Sequence, residues 1–476
     1  MKPTDVPEIS GALRAGVRRA EPMVWLSAGA VTLALMLLVG LLFLLASRGF
    51  SHFWPQPLIL LDNVESKAQL GILLDREPVP YAQDYRLLLH LGGEDFFDSP
   101  LVWVEEATLR ARSTPQAALA IERRDQGPLF AFAEGVDYGE ARLELSDWNV
   151  ADQVAAIHKV RGTAGRVYLR LASGRPVTLP DSDLIEVSSP NAMSGMARIR
   201  HAFSALGRFV REAPRRGNVQ GGVFPAIVGT VLLVLLMTAI VAPLGVLAAV
   251  YLQEYAQRGP LTRMVRIGVN NLAGVPSIVY GVFGLGFFVY GLGGSLDQLF
   301  FSDSLPAPTL GAPGLLWAAL TMALLTLPVV IVSTEEGLAR VPRNLREGSL
   351  ALGATRAEAL FRVVLPAASQ AVLTGLILAV ARATGEVAPL ILVGVAKYAP
   401  GLPVSSEFPF LHLDQQFMHL GFYIYDLGFQ SPSIETAEGL VFATALLLVL
   451  IVLLLNLAAV MLRSRLRNAF GTQELR

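Results

Sequence analysis

The chain contains no cysteine. That excludes disulfides, thiolate metal centres and a cysteine nucleophile. Charge is also scarce: 16% of residues are charged, against about a quarter in ordinary soluble domains. A net charge of -1 excludes the broad basic surface of a nucleic-acid binder. No G-x-x-x-x-G-K-[ST] sequence occurs, so the chain has no phosphate-cradling loop of that type. The histidines, His52, His90, His158, His201, His412 and His419, show no metal-ligand spacing and read as scattered surface or packing residues. What is abundant instead is apolar: 53% of the residues are hydrophobic, gathered in long runs.

About 20 apolar residues cross the hydrocarbon core of a bilayer. Six segments meet that length: Met23–Ala46, Gly222–Leu252, Asn271–Leu292, Gly314–Val332, Ala371–Gly394 and Gly439–Leu462. The first is too long for a signal-peptide core and no clear A-x-A site follows it, so it reads as a retained span. Between the first two spans, residues 47–221 have the mixed composition of a soluble domain. The division predicted is a tail over 1–22, a span over 23–46, the soluble domain over 47–221, a transmembrane domain over 222–462 and a second tail over 463–476.

Lys and Arg near span ends set orientation. Arg14, Arg18 and Arg19 precede the first span; Arg258, Arg263 and Arg266 follow the second; Arg340, Arg343, Arg346, Arg356 and Arg362 follow the fourth; Arg463, Arg465 and Arg467 follow the sixth. All fall on one side if each span crosses once. Residues 293–313 and 398–438 carry no base. Both termini are therefore expected in the cytoplasm and the soluble domain outside. Arg198, Arg200, Arg208, Arg211, Arg215 and Arg216 fall on the outer side, which long translocated domains tolerate.

Within the soluble domain, residues 166–171 and 176–187 contain strand-type alternation and turn residues, and residues 148–159 suit a short helix. Residues 193–212 predict an amphipathic helix, with Met196, Ile199, Phe203, Leu206 and Val210 at helical spacing. Either it packs on its own domain, or it lies on the outer membrane surface with its arginines on lipid phosphates. Asp95 and Asp98 read as solvated loop residues. Pro225, Pro243, Pro276 and Pro328, with Gly281, Gly284 and Gly286, serve close helix packing, and Pro276 and Pro328 are equally candidate hinges. Asn270 and Asn271 read as packing residues able to hydrogen-bond across helices.

Residues 341–368, VPRNLREGSLALGATRAEALFRVVLPAA, are too polar to span. Pro342 suits a first helical turn, Gly353 a helix end, and Thr355 with Glu358 a capping box. Pro366 is expected to close the second piece. The product is a helix–turn–helix elbow exposed to the cytoplasm.

The order Glu347, two small residues, three residues, Gly353, nine residues, Val363-x-Leu365-Pro366 is similar to the EAA loop of ABC-importer permeases, with Gly348 and Ser349 where that loop has two alanines. Residues 221–230 (GGVFPAIVGT), 272–285 (LAGVPSIVYGVFGL) and 381–390 (ARATGEVAPL) resemble the phosphate-importer permeases, the last of them the PstA type. The resemblance runs from Gly221 to the C-terminus.

It implies an all-α polytopic membrane protein, with six transmembrane helices in the type I ABC importer permease fold, carrying an inserted strand-rich α+β periplasmic domain. It implies a non-catalytic permease moving inorganic phosphate across the bacterial inner membrane. The implied partners are a sister permease in a heterodimer, two ATPase subunits at the cytoplasmic face, a periplasmic phosphate-binding protein and the lipid bilayer. No cofactor is expected in this chain, with ATP and Mg on the ATPase. Glu347, Gly353, Ala354, Leu365 and Pro366 would serve ATPase coupling.

Arg382 and Glu386 stand four apart in an almost uncharged run, where intramembrane charges pair and face a bundle interior. They either line an anion pathway, Arg382 offering its fork to phosphate oxygens, or lock helix packing as an ion pair. Family resemblance places both on the translocation path. Glu335 lines that path or merely ends a helix. Many family members have arginine where this chain has Val332, which weakens any two-arginine pathway here. Other readings remain: a permease for molybdate or sulfate, a gradient-driven transporter, for which no inverted repeat is found, and a phosphate-sensing membrane scaffold.

Overall fold

The computed structural model describes residues 22–471 apart from 64–67, 80–83, 94, 98, 139–141, 258, 305, 400 and 432–433. Arg14, Arg18, Arg19, Asp98 and Arg258 lie outside the described residues, as do most of the first tail and the end of the second.

Helix α1 (Pro22–Phe53) is apolar on every side and its surface is almost wholly exposed within the chain. A helix hydrophobic all round belongs in lipid. The chain then enters two antiparallel sheets. β1 (Leu58–Asn63), β2 (Gln69–Pro78), β3 (Tyr85–His90), β4 (Leu101–Glu105) and β5 (Leu109–Ser113) form the first, in the order β4-β3-β2-β1-β5. β6 (Ala118–Arg123), β7 (Leu129–Asp137), β9 (Arg166–Arg170), β10 (Pro176–Pro180) and β11 (Leu184–Ser188) form the second, in the order β10-β9-β7-β6-β11, with β8 (Arg142–Glu144) on β7.

Period-2 alternation turns one side of β9 and β10 inward. Leu58 and Leu70 of the first sheet meet Ala118 and Phe130 of the second in one cluster. Helix α2 (Val150–Val160) covers the second sheet with Ala156, Ile157 and Val160, and Asn149 caps it by accepting from the Asp152 amide. Arg123, 1% exposed, donates to both oxygens of Asp95 at 2.7 and 2.8 Å and to the Gly127 carbonyl at 2.8 Å. Asp95 is therefore the ion-pair partner of a buried arginine and not a free loop carboxylate. The two residues lie 28 apart, so no local pattern announced the pair.

Helix α3 (Gly195–Arg211) and the short hairpin of β12 (Pro214–Arg215) and β13 (Gln220–Gly221) lead to the remaining spans. These are α4 (Phe224–Tyr255), α6 (Ser277–Phe300), α7 (Leu315–Arg340), α9 (Arg356–Gly385) and the long helix α12 (Ile434–Gly471). Between them lie the surface helix α5 (Pro260–Leu272), the elbow helix α8 (Arg343–Ala351), and two short helices, α10 (Leu390–Val393) and α11 (Leu420–Phe429). With α1 this makes six helices long and apolar enough to cross a membrane among the described residues.

α7 is the most buried span and packs on both α4 and α9. Small residues make that closeness possible: Gly245 lies against Val330, Gly337 against Ala371 and Gly375 against Ser333.

Three span boundaries differ from the hydropathy reading. The third span starts at Ser277 and not Asn271, because Pro276 forms its N-cap and the preceding residues belong to α5. Asn270 and Asn271 are exposed there. The fifth ends at Gly385, so residues 386–394 leave the helix. It also begins earlier: Pro366 does not close a helix but occupies the first turn of Leu365–Gly385, which a π-turn over Leu360–Val364 joins to Arg356. A proline lacks only an amide that a first turn leaves unused.

Candidate functional site

The elbow is built from local rules. α8 runs from the Pro342 cap to Ala351. Gly353 has φ +90°, a left-handed conformation that favours glycine, and Gly353 and Ala354 donate their amides back to Leu350 and Ser349. Thr355 then opens α9 through a reciprocal box: its hydroxyl accepts from the Glu358 amide, and the Glu358 carboxylate accepts from the Thr355 amide at 2.9 Å. Glu347 and Gly353 are exposed, while Ala354, Leu365 and Pro366 are half-buried. Leu352 is 91% exposed and Phe361 63%, so the elbow presents apolar side chains outward.

The elbow is tied to the spans at its base. Val341, Leu360, Val364 and Ala368 pack with Val250 of α4 and Leu338 of α7. Arg346 bridges to Glu254 at 2.9 Å and donates to the Leu338 carbonyl. A push on α8 is thereby delivered to the ends of α4, α7 and α9 together. The Arg346–Glu254 bridge joins residues far apart in the sequence and had no local signature.

Arg382 and Glu386 approach to 3.4 Å, with 34% and 23% of their side chains exposed. They do not share a helix face as their spacing suggested. Glu386 is the C-cap of α9, with extended φ and ψ, and its side chain reaches back one turn to Arg382. The turn that follows packs tightly on α6: a Cβ on Gly281 would sit 2.7 Å from Pro389. The pair therefore sits at the junction of α9 and α6.

Glu335 lies elsewhere. Its carboxylate is 3.4 Å from Arg266 of α5, which also donates to the Leu252 carbonyl at 3.0 Å. Two residues on, Gly337 meets Ala368 and Ala371 near the elbow end of α9. Arg382 stands eleven residues beyond Ala371, about 16 Å along a helix. The structure thus brings Arg382 to Glu386 and Glu335 to Arg266, and does not join the two pairs.

A further charged cluster escaped sequence reading. Asp426 of α11, 1% exposed, is 2.9 Å from the Lys397 ammonium and accepts from Asn218 at 3.0 Å, while the Tyr423 hydroxyl donates to the Asn218 carbonyl. It pins the segment before α4 to the segment after α10. In the sheet domain, Glu122 and Glu186 hold Arg208 and Arg215. Burial pushes the Glu186 carboxyl up, but the His201 hydrogen bond and the Arg208 charge bring it below its ordinary value.

Known proteins give the same frame. The family model for the binding-protein-dependent transport system inner membrane component matches residues 241–468. The chain is 33% identical over 256 residues to the phosphate transport system permease protein PstA of Yersinia pestis, covering 54% of this chain and 77% of that one. It is 35% identical over 245 residues to PstA 1 of Mycobacterium tuberculosis, covering 51% of this chain and 71% of that one. It is 34% identical over 240 residues to a probable PstA of Methanocaldococcus jannaschii, covering 49% and 73%. About half of this chain lies outside each of these matches.

Proposed function

The chain belongs to the family of binding-protein-dependent transport system inner membrane components, with the PstA phosphate permeases, and on that premise we infer that it is the membrane-spanning permease subunit of an ATP-driven phosphate importer. It is a non-catalytic membrane subunit of multi-pass type. In this reading a sister permease completes the channel, two ATPase subunits dock on the cytoplasmic elbows with ATP and Mg, and a binding protein delivers phosphate to the outer face. Both termini then lie in the cytoplasm, and the sheet domain faces outward.

The observation that carries the mechanism is the elbow. An exposed, capped helix pair with apolar tips, fixed at its base to three spans, is a lever for another protein's motion. Glu347 sits on its outer surface, Gly353 and Ala354 form its turn, and Leu365 and Pro366 start the span it drives. Arg382 supplies a bidentate cation for a phosphate oxygen pair. Glu386 holds that guanidinium when the path is empty. Glu335, bound to Arg266, joins α5 to α7 and moves with them.

The test is labelled-phosphate uptake into proteoliposomes holding the four kinds of subunit, with and without ATP, and with sulfate and molybdate as competitors. ATP-dependent uptake that only phosphate competes away supports the reading. ATP-dependent uptake of sulfate or molybdate in preference to phosphate refutes the substrate, and uptake indifferent to ATP refutes the coupling.

A further inference from the structure

Helix α3 has an unusual division of faces. It carries Arg198, Arg200, Arg208 and Arg211 and no acidic residue. One side is satisfied by the protein: Ala202 and Phe209 are buried, and Arg208 pairs with Glu186. The opposite side is not. Met196 is 76% exposed, Ile199 43% and Phe203 61%. At 3.6 residues per turn these three form one stripe, and Arg200 and Arg211 run along a single edge of it. Both arginines are exposed and hold no ion pair among the described residues.

The position of this stripe says what covers it. Phe203 meets Phe50 of α1 edge-on, with ring centroids 6.4 Å apart, and Phe209 lies 5.3 Å from Phe53. These are the last residues of a span whose side chains over residues 24–44 are almost all apolar and exposed. The other end of α3 hands the chain to α4: the Val223 amide donates to the Phe209 carbonyl at 2.8 Å and the Phe224 amide to the Glu212 carbonyl at 3.1 Å. α3 therefore lies at the level where two spans leave the hydrocarbon. Its stripe is continuous, through Phe50, with the exposed apolar surface of α1, and Trp54, 39% exposed, directly follows that span. Tryptophan at a span end suits the headgroup layer.

We propose that the outward face of α3 is a membrane-surface site, with Met196, Ile199 and Phe203 seated in the bilayer interface and Arg200 and Arg211 on the phosphates of anionic lipids. Charge complementarity favours lipid over a second protein. The stripe has no acid to pair with a basic partner, and guanidinium forks match phosphate geometry. The site would anchor the base of the sheet domain to the membrane beside α1.

The chain has no cysteine, so single Phe203→Cys and Ile199→Cys variants can carry a spin label in the full chain, assembled with its transporter subunits in nanodiscs. Leu37→Cys on α1 supplies a lipid reference and Leu143→Cys on β8 a water reference. Expected is a Phe203 label reached by oxygen and shielded from a water-soluble nickel complex, as at Leu37. The Ile199 label carries the same test if the Phe203 variant fails to fold. Phosphatidylglycerol in the nanodisc should raise the thermal midpoint of the protein, and the Arg200→Gln/Arg211→Gln double variant should lose that rise. A label reached by nickel as at Leu143, or shielded from both reagents as under a protein partner, overturns the site. A midpoint indifferent to phosphatidylglycerol overturns the headgroup contact.

Discussion

The sheet domain and the spans use the same leucines to opposite ends. Leu129 of β7 is 0% exposed, whereas Leu37 of α1 is 67% exposed. In water an apolar side chain is useful only when the protein covers it. In lipid the solvent covers it, and contact between helices rests on close packing of small residues instead. Hence the sheet domain has a dense core and a buried Arg123 paired with Asp95, while α7 and α9 meet through Gly337, Ala371 and Gly375.

This contrast can be broken most severely at the buried Arg123. Asp95→Ala leaves the enclosed Arg123 charge without its carboxylate, and an uncompensated buried charge costs about 3–5 kcal/mol. Hydrogen exchange of β6 and β7 amides in the full chain should accelerate accordingly, with the spans unchanged. The leucines test the contrast directly. Leu129→Ala should destabilise the sheet domain by about 2–5 kcal/mol, while Leu37→Ala should change the stability of the spans by less than ~0.5 kcal/mol, as surface substitutions do. Equal effects at the two sites would refute the assignment of α1 to lipid.

His90 sharpens the comparison through pH. Burial, and secondarily the Arg216 charge, lowers its pKa to about 4 from the ordinary 6.5. The fold thus holds the neutral ring. Its contribution is complete above pH 6.5 and is lost as pH falls toward 4, a change of up to about 3 kcal/mol. Acid unfolding of the sheet domain between those values should weaken in His90→Phe. The helix seam gives the smallest of the destabilising effects: Gly375→Val drives a branched side chain into Ser333 and should cost about 1–3 kcal/mol of overpacking, read as a lower thermal midpoint with sheet-domain exchange unaffected.

How much was legible follows the reach of each determinant. The elbow could be read because its signals are local: Pro342, Gly353 and the Thr355–Glu358 box each act within four residues. The existence of the spans was legible from apolar length alone, but not their ends. Pro276 moved one start, and the end of α9 at Gly385 left Glu386 outside the helix. The strands over 166–170, 176–180 and 184–188 and the helices over 150–160 and 195–211 agree with their periodicity. What stayed hidden was long-range pairing: Asp95 with Arg123, Glu254 with Arg346, Arg266 with Glu335, and Lys397 with Asp426. Charge partners brought together by packing leave no trace in spacing.

The central claim is that the elbow transmits another subunit's ATP-driven motion to a phosphate path. The most direct measurement is phosphate uptake by the reconstituted transporter carrying Glu347→Arg, beside its ATPase rate. Glu347 is exposed and its replacement leaves the base contacts of the elbow in place. The account predicts uptake at background and ATP hydrolysis no longer stimulated by the loaded binding protein. Uptake at the unmodified rate, still dependent on ATP, would contradict it.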